Sequence, residues 1–578
     1  MIIFDIETNG LLDDLDKVHC LVLKDTSTNK VETYTDNIQD GLKRLQQADC
    51  IIGHNIIKFD LPALKKVYNF TYTGTVQDTL VLTRLIWSDI KESDFARKDF
   101  SKKLIGRHSL QAWGERLGDY KGDYSGGWET FNQDMLSYCI QDVHVTHTLW
   151  NKIQEKNYSQ QAIDLEHKLA HIIYKQECNG FKFNTAKAQR LYSKLSAKRE
   201  SIKQELKNVF CDWEIRTPFI PKVNNKKLGY IKGQQIEKVQ VVEFNPSSRD
   251  HVANRLINLR GWQPKQYTND GKPKVDEEVL KSLPYPESKL LVEYYTIEKR
   301  IGQLAEGNQA WLKLVSNNRI HGGVNTNGAV TGRAIHSHPN VGQVPAVNVP
   351  YGKECRELFT VDEDKVLVGI DVSGLELRCL AHFMSRYDNG TYINEVLEGD
   401  IHTANQKAAG LETRAQAKTF IYALIYSCGA AKMGQILGKD VKAGKRIINE
   451  FMSKTPALKR LMTDVREKAT KGFIKGLDGR LLKIRSEHKA LNTLLQSAGA
   501  LICKQWIVDI HELATQKNLE CKQVAWVHDE IQIETRKEHA DELGQISKQA
   551  IQNTQKTFRI RCDLDCEYKV GKSWKDTH

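Results

Sequence analysis

The stretch KVLVGIDVSGLELRCLAHFM, residues 365–384, joins a strand to a helix around one carboxylate. Its apolar first half ends at Asp371, and a helical spacing of apolar residues begins near Leu375. A strand that leads directly into a helix is typical of α/β proteins. An isolated acid at this place is most often only the polar end of a buried strand, so its meaning depends on the rest of the chain.

A second stretch, QVAWVHDEIQIE at residues 523–534, also places acids at the ends of apolar segments. Two alternating segments, VAWV and IQIE, flank His528, Asp529 and Glu530. Period-two alternation on both sides of a short polar break predicts a β-hairpin with the acids at its tip.

Between them lies RAQAKTFIYALIY, residues 414–426, which is predicted to form a helix. Arg414, Lys418, Tyr422 and Tyr426 recur every fourth residue, and four steps on a helix turn about 400°, so they form one stripe along the helix. Taken by itself, such a stripe is well explained as a helix face whose long cations lie along the protein surface. That explanation weakens if the acids of the two flanking stretches belong to the same site.

The N-terminal part carries a second group of acids. Asp5 and Glu7 in FDIETNG are two residues apart in a predicted strand, so both side chains point to one face. Asp60 follows the strand-like segment CIIGHN. Tyr138 and Asp142 lie at positions i and i+4 of a predicted helix, on the same face. Carboxylate oxygens suit Mg²⁺ or Mn²⁺, and two ions about 3.5–4 Å apart can hydrolyse a phosphodiester while a phenol positions the water. Three further polar residues could belong to the same site, but a local turn or a helix face explains them equally well. They are His54, Asn55 and His144.

The order D-x-E, Asp60 and Y-x-x-x-D resembles the DnaQ-like 3′–5′ exonucleases that have tyrosine in the last motif. RHSLQAWGERLGDYKGDY, residues 107–124, is similar to the segment that precedes that motif in such domains. The resemblance implies a catalytic group of Asp5, Glu7, Asp60, Tyr138 and Asp142, in which Asp5, Glu7 and Asp142 bind metal.

In the second half, DVSGLELR, RAQAKTFIYALIY and VHDE resemble motifs A, B and C of the family A DNA polymerases. Further segments follow in that family's order: NTNGAVTGRAIHSHPN with GQVP (325–345), GDIHTANQ (399–406), KGLDGR (475–480) and LNTLLQSAGALICKQW (491–506). The resemblance covers nearly the whole chain and is strongest to polymerases of short-tailed bacteriophages. It implies an α/β multidomain fold, in which an RNase H-like exonuclease domain is followed by a palm–thumb–fingers right-hand polymerase.

The resemblance also implies a division of the chain into segments. They are the exonuclease domain (1–158), a mostly helical thumb (159–325), the first part of the palm (326–385), helical fingers (386–490) and the second part of the palm with the HDE hairpin (491–578).

For the polymerase site, the resemblance implies that Asp371 and Asp529 bind two Mg²⁺ ions, assisted by the backbone carbonyl of Val372, with Glu530 as a weaker candidate. Lys418 belongs to the catalytic group with the two aspartates. These ions would join the primer 3′-oxygen to the α-phosphate of the incoming nucleotide.

The stripe on the predicted helix then gains a function, because a triphosphate needs positioning and charge neutralisation. Arg414 and Lys418 would bind the phosphates, and His402 would add a further contact. Tyr422 would lie against the incoming sugar and base, and Tyr426 would hold the template side of the site.

Glu376, five residues after Asp371, resembles the family's gate against ribose and would pair with the Tyr422 hydroxyl to leave no room for a 2′-OH. The minor groove presents acceptors in equivalent places in every correct base pair. The residues that we expect to contact DNA there or at the primer terminus are Arg333, Gln343, Asn492, Gln496 and His528.

Two features depart from the family pattern. Ser427 and Cys428 precede Gly429 where glycine usually follows the last tyrosine of motif B. The coliphage relatives that borrow host thioredoxin carry a long thumb insertion, whereas only about thirty residues, from Trp213 to Phe244, occupy that place here. We therefore do not expect thioredoxin as a partner, although the lysines of this stretch could track DNA phosphates.

Composition sets wider limits. A chain of 578 residues predicts about two to four domains. The 84 Lys and Arg against 72 Asp and Glu give a net charge of +12, which is compatible with a nucleic-acid partner.

No signal peptide or run of about 18 apolar residues is visible, so we expect no membrane association. The 12 cysteines form no zinc or disulfide pattern, which indicates free thiols.

We expect Mg²⁺ as cofactor, two ions in each site, with Mn²⁺ as a possible substitute. The expected partners are primer–template DNA and dNTPs, together with a helicase, a primase and a single-stranded DNA-binding protein, and the expected location is the cytoplasm of an infected bacterial cell.

Three other classes of protein are alternatives. The first is a single-subunit RNA polymerase, which Glu376 and the exonuclease residues disfavour. The others are a pure exonuclease and a non-catalytic DNA-binding protein.

Overall fold

The computed structural model describes residues 1–120, 122 and 124–578, so Lys121 and Asp123 of the predicted 107–124 segment lie outside the described residues. The chain divides into two compact units. Unit 1 consists of Met1–Phe181, His321–Gln343 and Val361–His578, and unit 2 of Lys182–Ile320 and Val344–Thr360.

The elements are named here in chain order. The strands are β1 (Ile2–Thr8), β2 (Val18–Asp25), β3 (Val31–Tyr34), β4 (Cys50–Gly53), β5 (Thr75–Asp78), β6 (Phe181–Phe183), β7 (Trp213–Phe219), β8 (Ile236–Val242), β9 (Val315–Ser316), β10 (Arg319–Ile320), β11 (Gly323–Asn325), β12 (Ile335–Ser337), β13 (Phe359–Thr360), β14 (Lys365–Val372), β15 (Phe473–Lys475), β16 (Leu481–Lys483), β17 (Lys522–Val527), β18 (Glu530–Arg536) and β19 (Cys566–Gly571). The helices are α1 (Ile38–Gln46), α2 (Asp60–Tyr68), α3 (Thr79–Ile86), α4 (Ile90–Phe95), α5 (Leu110–Leu117), α6 (Gln133–Gln154), α7 (Gln160–Asn179), α8 (Thr185–Phe210), α9 (Arg249–Arg260), α10 (Glu277–Lys281), α11 (Pro286–Ile301), α12 (Trp311–Leu314), α13 (Gly352–Arg356), α14 (Leu375–Asp388), α15 (Thr391–Leu397), α16 (Ile401–Ala409), α17 (Arg414–Ile425), α18 (Ala430–Ile436), α19 (Val441–Lys454), α20 (Pro456–Ala469), α21 (Ala490–Gln516) and α22 (Ala540–Phe558).

The N-terminal part of unit 1 is built on a sheet of order β3-β2-β1-β4-β5. Strand β1 pairs antiparallel with β2 and parallel with β4, which places it at the centre. Its side chains alternate between two apolar layers: Ile3 packs with Val143 of α6, whereas Phe4 and Ile6 pack on the opposite face. Asp5 and Glu7 share the parity of Ile3, so they point toward the layer that contains α6.

The C-terminal part of unit 1 holds an antiparallel sheet of order β17-β18-β14-β19. β14 follows the predicted pattern, since its residues from Val366 to Ile370 are buried and Asp371 is exposed. The long helices α21 and α22 pack against each other beside this sheet, and the segment 386–490 is mostly helical, as its sequence pattern predicts. The predicted hairpin around Asp529 is the pair β17 and β18.

Unit 2 is mostly helical, with α8 packed against α11. The segment from Trp213 to Phe244 contains the antiparallel pair β7 and β8, whose central residues are exposed. Ser248 caps α9 by accepting a hydrogen bond from the backbone N–H of His251 at 3.3 Å.

The two compact units do not coincide with the predicted segments. Helix α7, assigned to the thumb by its sequence, belongs to unit 1, and residues 344–360, assigned to the palm, belong to unit 2. The five-segment division of the chain stays a prediction. Across the described residues, none of the helices has the length and apolarity that a membrane span requires.

Candidate active sites

The two predicted metal-binding acids of the C-terminal part lie at the end of a strand and in the turn of the neighbouring hairpin. Asp371, the next-to-last residue of β14, pairs in register with Glu530 of β18. The backbone N–H of Val372 donates to the carbonyl oxygen of Asp529 at 3.1 Å. Asp529 itself lies in the turn between β17 and β18, where His528 adopts the left-handed conformation with φ of +59°, which histidine tolerates better than most residues. The hairpin thus presents Asp529 beside the end of β14.

The electrostatics of this pair favour a cation. The surrounding protein removes part of the hydration of Asp371, and the charges of Asp529 and Glu530 repel its own, so its pKa rises to about 7. Burial also raises the pKa of Asp529. Both carboxylates are therefore poorly stabilised as anions by the protein alone, and a divalent cation bound by their oxygens would relieve that cost. The carboxylate oxygens of Asp371 and Asp529 are suitable ligands for Mg²⁺, the metal that the sequence predicts.

Glu530 is held by the protein itself. Its carboxylate accepts hydrogen bonds from the Trp574 indole and from Gln532 at 2.7 Å, and His578 lies 3.0 Å from its second oxygen. These contacts explain a buried acid in the sheet without a metal. They favour a supporting role for Glu530 over a place among the metal ligands.

Helix α17 has the two-sided character that its sequence predicts. Thr413 caps it in a capping box, and its apolar side is buried, while Arg414 and Lys418 are exposed. Arg414 bonds Asp400 at 2.7 Å. His402 is buried within reach of both cations, since burial and then the charges of Arg414 and Lys418 lower its pKa.

Glu376 meets a different tyrosine from the one expected. The hydroxyl of Tyr426, at the C-cap of α17, donates to Glu376, and burial followed by this contact raises the pKa of Tyr426 to about 12. Arg333 also reaches Glu376, at 3.4 Å. In this structure the hydroxyl that bonds Glu376 is that of Tyr426, one turn after Tyr422, while burial and then the Glu376 charge raise the pKa of Tyr422. The pairing of Glu376 with Tyr422 stays a prediction. Tyr422 instead lies near His402, with ring centroids 6.4 Å apart.

Ser427, one of the departures from the family pattern, occupies a position that suits glycine. Its φ is +60°, in the left-handed region that side chains disfavour. Its hydroxyl donates to the carbonyl oxygen of His488 at 3.0 Å. This bond fixes the serine in the conformation that glycine would adopt without strain.

Arg333 is positioned by a turn that packs on a buried ionic cluster. Gly332, with φ of +78°, leaves so little space that an added Cβ would lie 2.8 Å from the guanidinium of Arg480. Arg480 and Lys504 each donate to the Asn327 side chain at 3.0 Å. The same two cations bind Glu166 of α7, at 2.7 and 2.5 Å. Sequence patterns indicate none of these long-range pairs.

A cavity of about 300 Å³ lies at this place in unit 1. Its lining brings together residues from five separate parts of the sequence, among them Arg333, Glu376, Tyr426, His528 and Asp529. The other predicted DNA contacts lie elsewhere in unit 1. Gln496 donates to Asn492 at 3.0 Å on α21, and Gln343 is exposed in a short turn.

The N-terminal acids form a second group. Asp5 and Glu7 on β1 present carboxylate oxygens within 4.8 Å of each other and of the Cys139 thiol, and the thiol lies 3.5 Å from Asp5. Asp60, the first residue of α2, is buried. Burial and then the Asp5 charge raise the pKa of Asp60 well above its usual value, which places the two acids close together.

Tyr138 and Asp142 both lie on α6, the helix that packs over β1, and Asp142 is buried. The sequence analysis does not include Cys139 among the site residues, because the predicted site consists of oxygen ligands and the i, i+4 pair Tyr138 and Asp142. The signal was available, because Cys139 and Asp142 are three residues apart on the helix and share the face that β1 covers.

Comparison with known proteins agrees with this geometry. Residues 222–576 match the family described as DNA polymerase family A. The chain is 38% identical to the DNA-directed DNA polymerases of Enterobacteria phage T3 and Escherichia phage T7, in alignments of 705 positions that cover 100% of each protein. The POL domain of Pol1 from M. smegmatis, in complex with DNA primer-template and dNTP, superimposes with a TM-score of 0.77 at 16% identity, over 99% of this chain and 96% of that one.

A family A polymerase fold, with one acid at the end of a strand and another in a hairpin turn, defines the class: the chain belongs to DNA polymerase family A. Within it, this is a DNA-directed DNA polymerase of the phage type. Members of the family generally use divalent metal ions, which the donor set of Asp371 and Asp529 fits.

Proposed function

We propose that the protein replicates the genome of a bacteriophage in the cytoplasm of the infected bacterial cell, extending a primer 3′ end with dNTPs and removing misplaced 3′ nucleotides with its own 3′–5′ exonuclease. The observation that carries the synthetic half is the pair Asp371 and Asp529, in which Asp371 lies near the end of β14 and Asp529 in the adjoining hairpin turn, and Asp529 lines a cavity together with Glu376 and Tyr426. A helicase, a primase and a single-stranded DNA-binding protein are the partners that such a role needs.

In the proposed synthetic reaction, the primer 3′-oxygen forms a bond to the α-phosphorus of the dNTP, and pyrophosphate leaves. Asp371 and Asp529, with the Val372 carbonyl, would hold Mg²⁺, which would supply charge neutralisation and favour loss of the 3′-hydroxyl proton to water. Lys418 and Arg414 bind the triphosphate through the exposed face of α17, with His402 beside them. Arg414 must first leave Asp400, an exposed contact that costs little to break.

Selection of the sugar depends on Glu376 in this proposal. Its carboxylate lies at the wall of the cavity and is fixed by Tyr426 and Arg333. A 2′-OH placed against this carboxylate would be excluded, so dNTPs would be preferred. His528, Gln343, Asn492 and Gln496 would contact the primer terminus or the minor groove, where acceptors do not depend on sequence.

The editing half is supported by Asp5, Glu7, Asp60 and Asp142, which come from β1, α2 and α6. The Asp5 charge acts on Asp60, and Asp5 and Glu7 point toward the layer that contains α6. The donors fit Mg²⁺ or Mn²⁺, which would supply an activated water and stabilise the leaving 3′-oxygen. Tyr138 would position that water. Cys139 is buried, and its thiol lies 3.5 Å from Asp5.

We propose that the polymerase works without thioredoxin. The alignments with the two phage enzymes have 705 positions, against 578 residues here, so those relatives carry residues without a counterpart in this chain. The hairpin of β7 and β8 is the short element found where the sequence predicts the thumb insertion to be missing. Its lysines, which could follow DNA phosphates, are Lys222, Lys226, Lys227, Lys232 and Lys238.

Primer extension on a primed single-stranded template tests the proposal. In Mg²⁺ with dNTPs the primer should grow, with NTPs it should not, and with nucleotides withheld it should shorten from its 3′ end. Added thioredoxin should leave product length unchanged. Efficient use of NTPs would contradict the selection of dNTPs, and a primer that does not shorten without nucleotides would contradict the exonuclease. A large stimulation by thioredoxin would contradict a polymerase that works without it.

A further inference from the structure

Helix α7 contacts elements of both halves of unit 1. It packs on α3 and β5 in the N-terminal part, and on β11, β17 and α21 in the C-terminal part. Its acids Glu166 and Glu177 are eleven positions apart, which is about three helical turns, so both point to one side of the helix. His167 follows directly after the first acid. None of these three residues belongs to the predicted sites, so their polar contacts need another explanation.

The carboxylate of Glu177 joins two segments that are far apart in the sequence. It accepts hydrogen bonds from the Lys58 ammonium at 2.6 and 2.7 Å, and from the backbone N–H of Val324 at 2.7 Å. Lys58 also donates to the Val324 carbonyl at 3.3 Å. The side chains of Lys58 and Glu177 are only 28% and 19% exposed, so solvent and salt screen this pair less than a surface pair.

One of these segments leads into the predicted exonuclease site. Lys58 lies two residues before Asp60, the first residue of α2. Helix α7 holds the same loop at a second point, because Nε2 of His167 accepts from the backbone N–H of Asp78 at 2.9 Å. The carboxylate of Asp78 in turn accepts from the backbone N–H of Asn55 at 2.9 Å. The loop before Asp60 is therefore attached to α7 at both of its ends.

The other segment leads into the polymerase site. Val324 belongs to β11, which pairs with β12, and the turn between these strands carries Arg333 to the cavity that it lines. Glu166 supports this turn further along, through Lys504, which donates to Glu166 and, at 3.0 Å, to the Asn327 side chain. The two acids of α7 thus hold two successive points of the segment that presents Arg333.

We propose that Glu177 is a positioning residue shared by the two sites: it holds the loop before Asp60 through Lys58, and the strand before Arg333 through the backbone of Val324. This inference rests on the proposed function and adds a residue that touches neither substrate. Misplacement of a reacting group by about 1 Å can lower a rate on the order of 10²-fold, so a distant contact can control it. Because the two branches use different bonds, they can be broken separately.

Two variants break the exonuclease branch alone. Lys58→Met and Glu177→Gln both remove the charge pair, while the Gln side-chain oxygen can still accept from Val324. Each should lower kcat for release of the 3′ nucleotide from a single-stranded oligonucleotide in Mg²⁺ about ten-fold, with KM changed less than about two-fold. Each should extend a matched primer as the parent does. The matched control is Glu512→Gln, which breaks the exposed pair that Glu512 makes with Lys168 of the same helix, and it should change neither rate.

A third variant, Glu177→Leu, breaks both branches. Besides the loss of exonuclease kcat, it should lower single-turnover incorporation on a matched primer about ten-fold. Added to Arg333→Ala, it should lower incorporation no further, because both changes remove the same interaction. By the same reasoning, Lys58→Met added to Glu177→Gln should not lower exonuclease kcat beyond either single variant.

Several results would overturn the proposal. They are an unchanged exonuclease kcat in Lys58→Met and Glu177→Gln, a raised KM with unchanged kcat, or additive losses from Glu177→Leu and Arg333→Ala. Normal primer extension by the first two variants shows that they are folded, so they decide the proposal even where Glu177→Leu does not fold. If Asp5→Ala with Glu7→Ala still degrades DNA, the proposed exonuclease fails, whereas the incorporation rate of Glu177→Leu still tests the shared positioning of Arg333.

Discussion

The backbone N–H of Val372 donates to the carbonyl of Asp529 at 3.1 Å, and this bond holds the last turn of the hairpin against the end of β14. It places the two acids of the proposed synthetic site next to each other although they are far apart in the sequence. The alignment depends on backbone atoms and on the register of the strands, so the acids can be changed without altering the frame that holds them.

Replacing either acid should therefore remove synthesis without unfolding the chain. We expect Asp371→Asn and Asp529→Asn each to lower the rate of nucleotide incorporation on the order of 10³-fold, since metal-ion stabilisation of phosphoryl transfer amounts to several kcal/mol. Glu567→Gln is the matched control, because Glu567 pairs with Asp371 on its other side but is exposed. Single-turnover primer extension measures the effect, and a comparable loss with Glu567→Gln would argue against a specific pair.

Metal affinity at the synthetic site should depend on pH. The pKa of Asp371 lies at about 7 in the folded chain, above its ordinary value of 3.8. The folded chain therefore binds an extra proton between about pH 4 and 7, and in that window a cation must displace the proton. The apparent affinity for Mn²⁺ should fall about ten-fold from pH 8 to pH 6.

Calorimetric titration of Mn²⁺ into the Asp5→Ala, Glu7→Ala chain measures this affinity without the second site. Asp371→Asn in the same background should abolish the pH dependence together with the binding. Equal affinity at pH 6 and pH 8 would mean that Asp371 is not among the ligands.

Removing the carboxylate at the wall of the cavity should relax sugar selection. We expect Glu376→Ala to raise the ratio of NTP to dNTP incorporation by at least about ten-fold, because one hydrogen-bonded or clashing hydroxyl accounts for one to three kcal/mol. Tyr426→Phe keeps the ring but loses the hydroxyl that contacts Glu376, so it should change the ratio much less. Competition between CTP and dCTP opposite guanine provides the measurement, and an unchanged ratio in Glu376→Ala would remove Glu376 from this role.

The buried ionic cluster should contribute strongly to stability. Glu166→Gln leaves Lys504 and Arg480 with less compensation in a fully buried place, at a cost of about 3–5 kcal/mol in the free energy of unfolding. The control is Glu512→Gln, which breaks the exposed pair Lys168–Glu512 and should cost about 0–1 kcal/mol. Urea denaturation followed by tryptophan fluorescence compares the two, and similar losses would contradict the assigned importance of burial.

The local patterns of the sequence predicted the elements that hold the acids, and the reasons are physical. Alternating apolar residues on both sides of Asp529 leave only a hairpin as a way to bury both segments. The same parity along a strand placed Asp5 and Glu7 on one face.

Other features depend on side-chain reach and distant packing, which local patterns do not contain. Tyr422 and Tyr426 differ by one turn, and only the position of the helix end decides which hydroxyl meets Glu376. Cys139 came next to Asp5 because α6 covers β1, a contact between segments far apart in the sequence. The boundary of unit 1 after α7 follows from packing of that helix on α21, which composition does not indicate.

The central claim is that two separate groups of acids perform opposite reactions on the same primer end. The most direct measurement is a time course on a primed single-stranded template with Mg²⁺, in which Asp529→Ala is compared with Asp5→Ala, Glu7→Ala. We predict that Asp529→Ala shortens the primer but cannot extend it, and that the double variant extends the primer but cannot shorten it without dNTPs. Loss of both reactions in either chain, provided that it is folded, or persistence of both, would contradict the account.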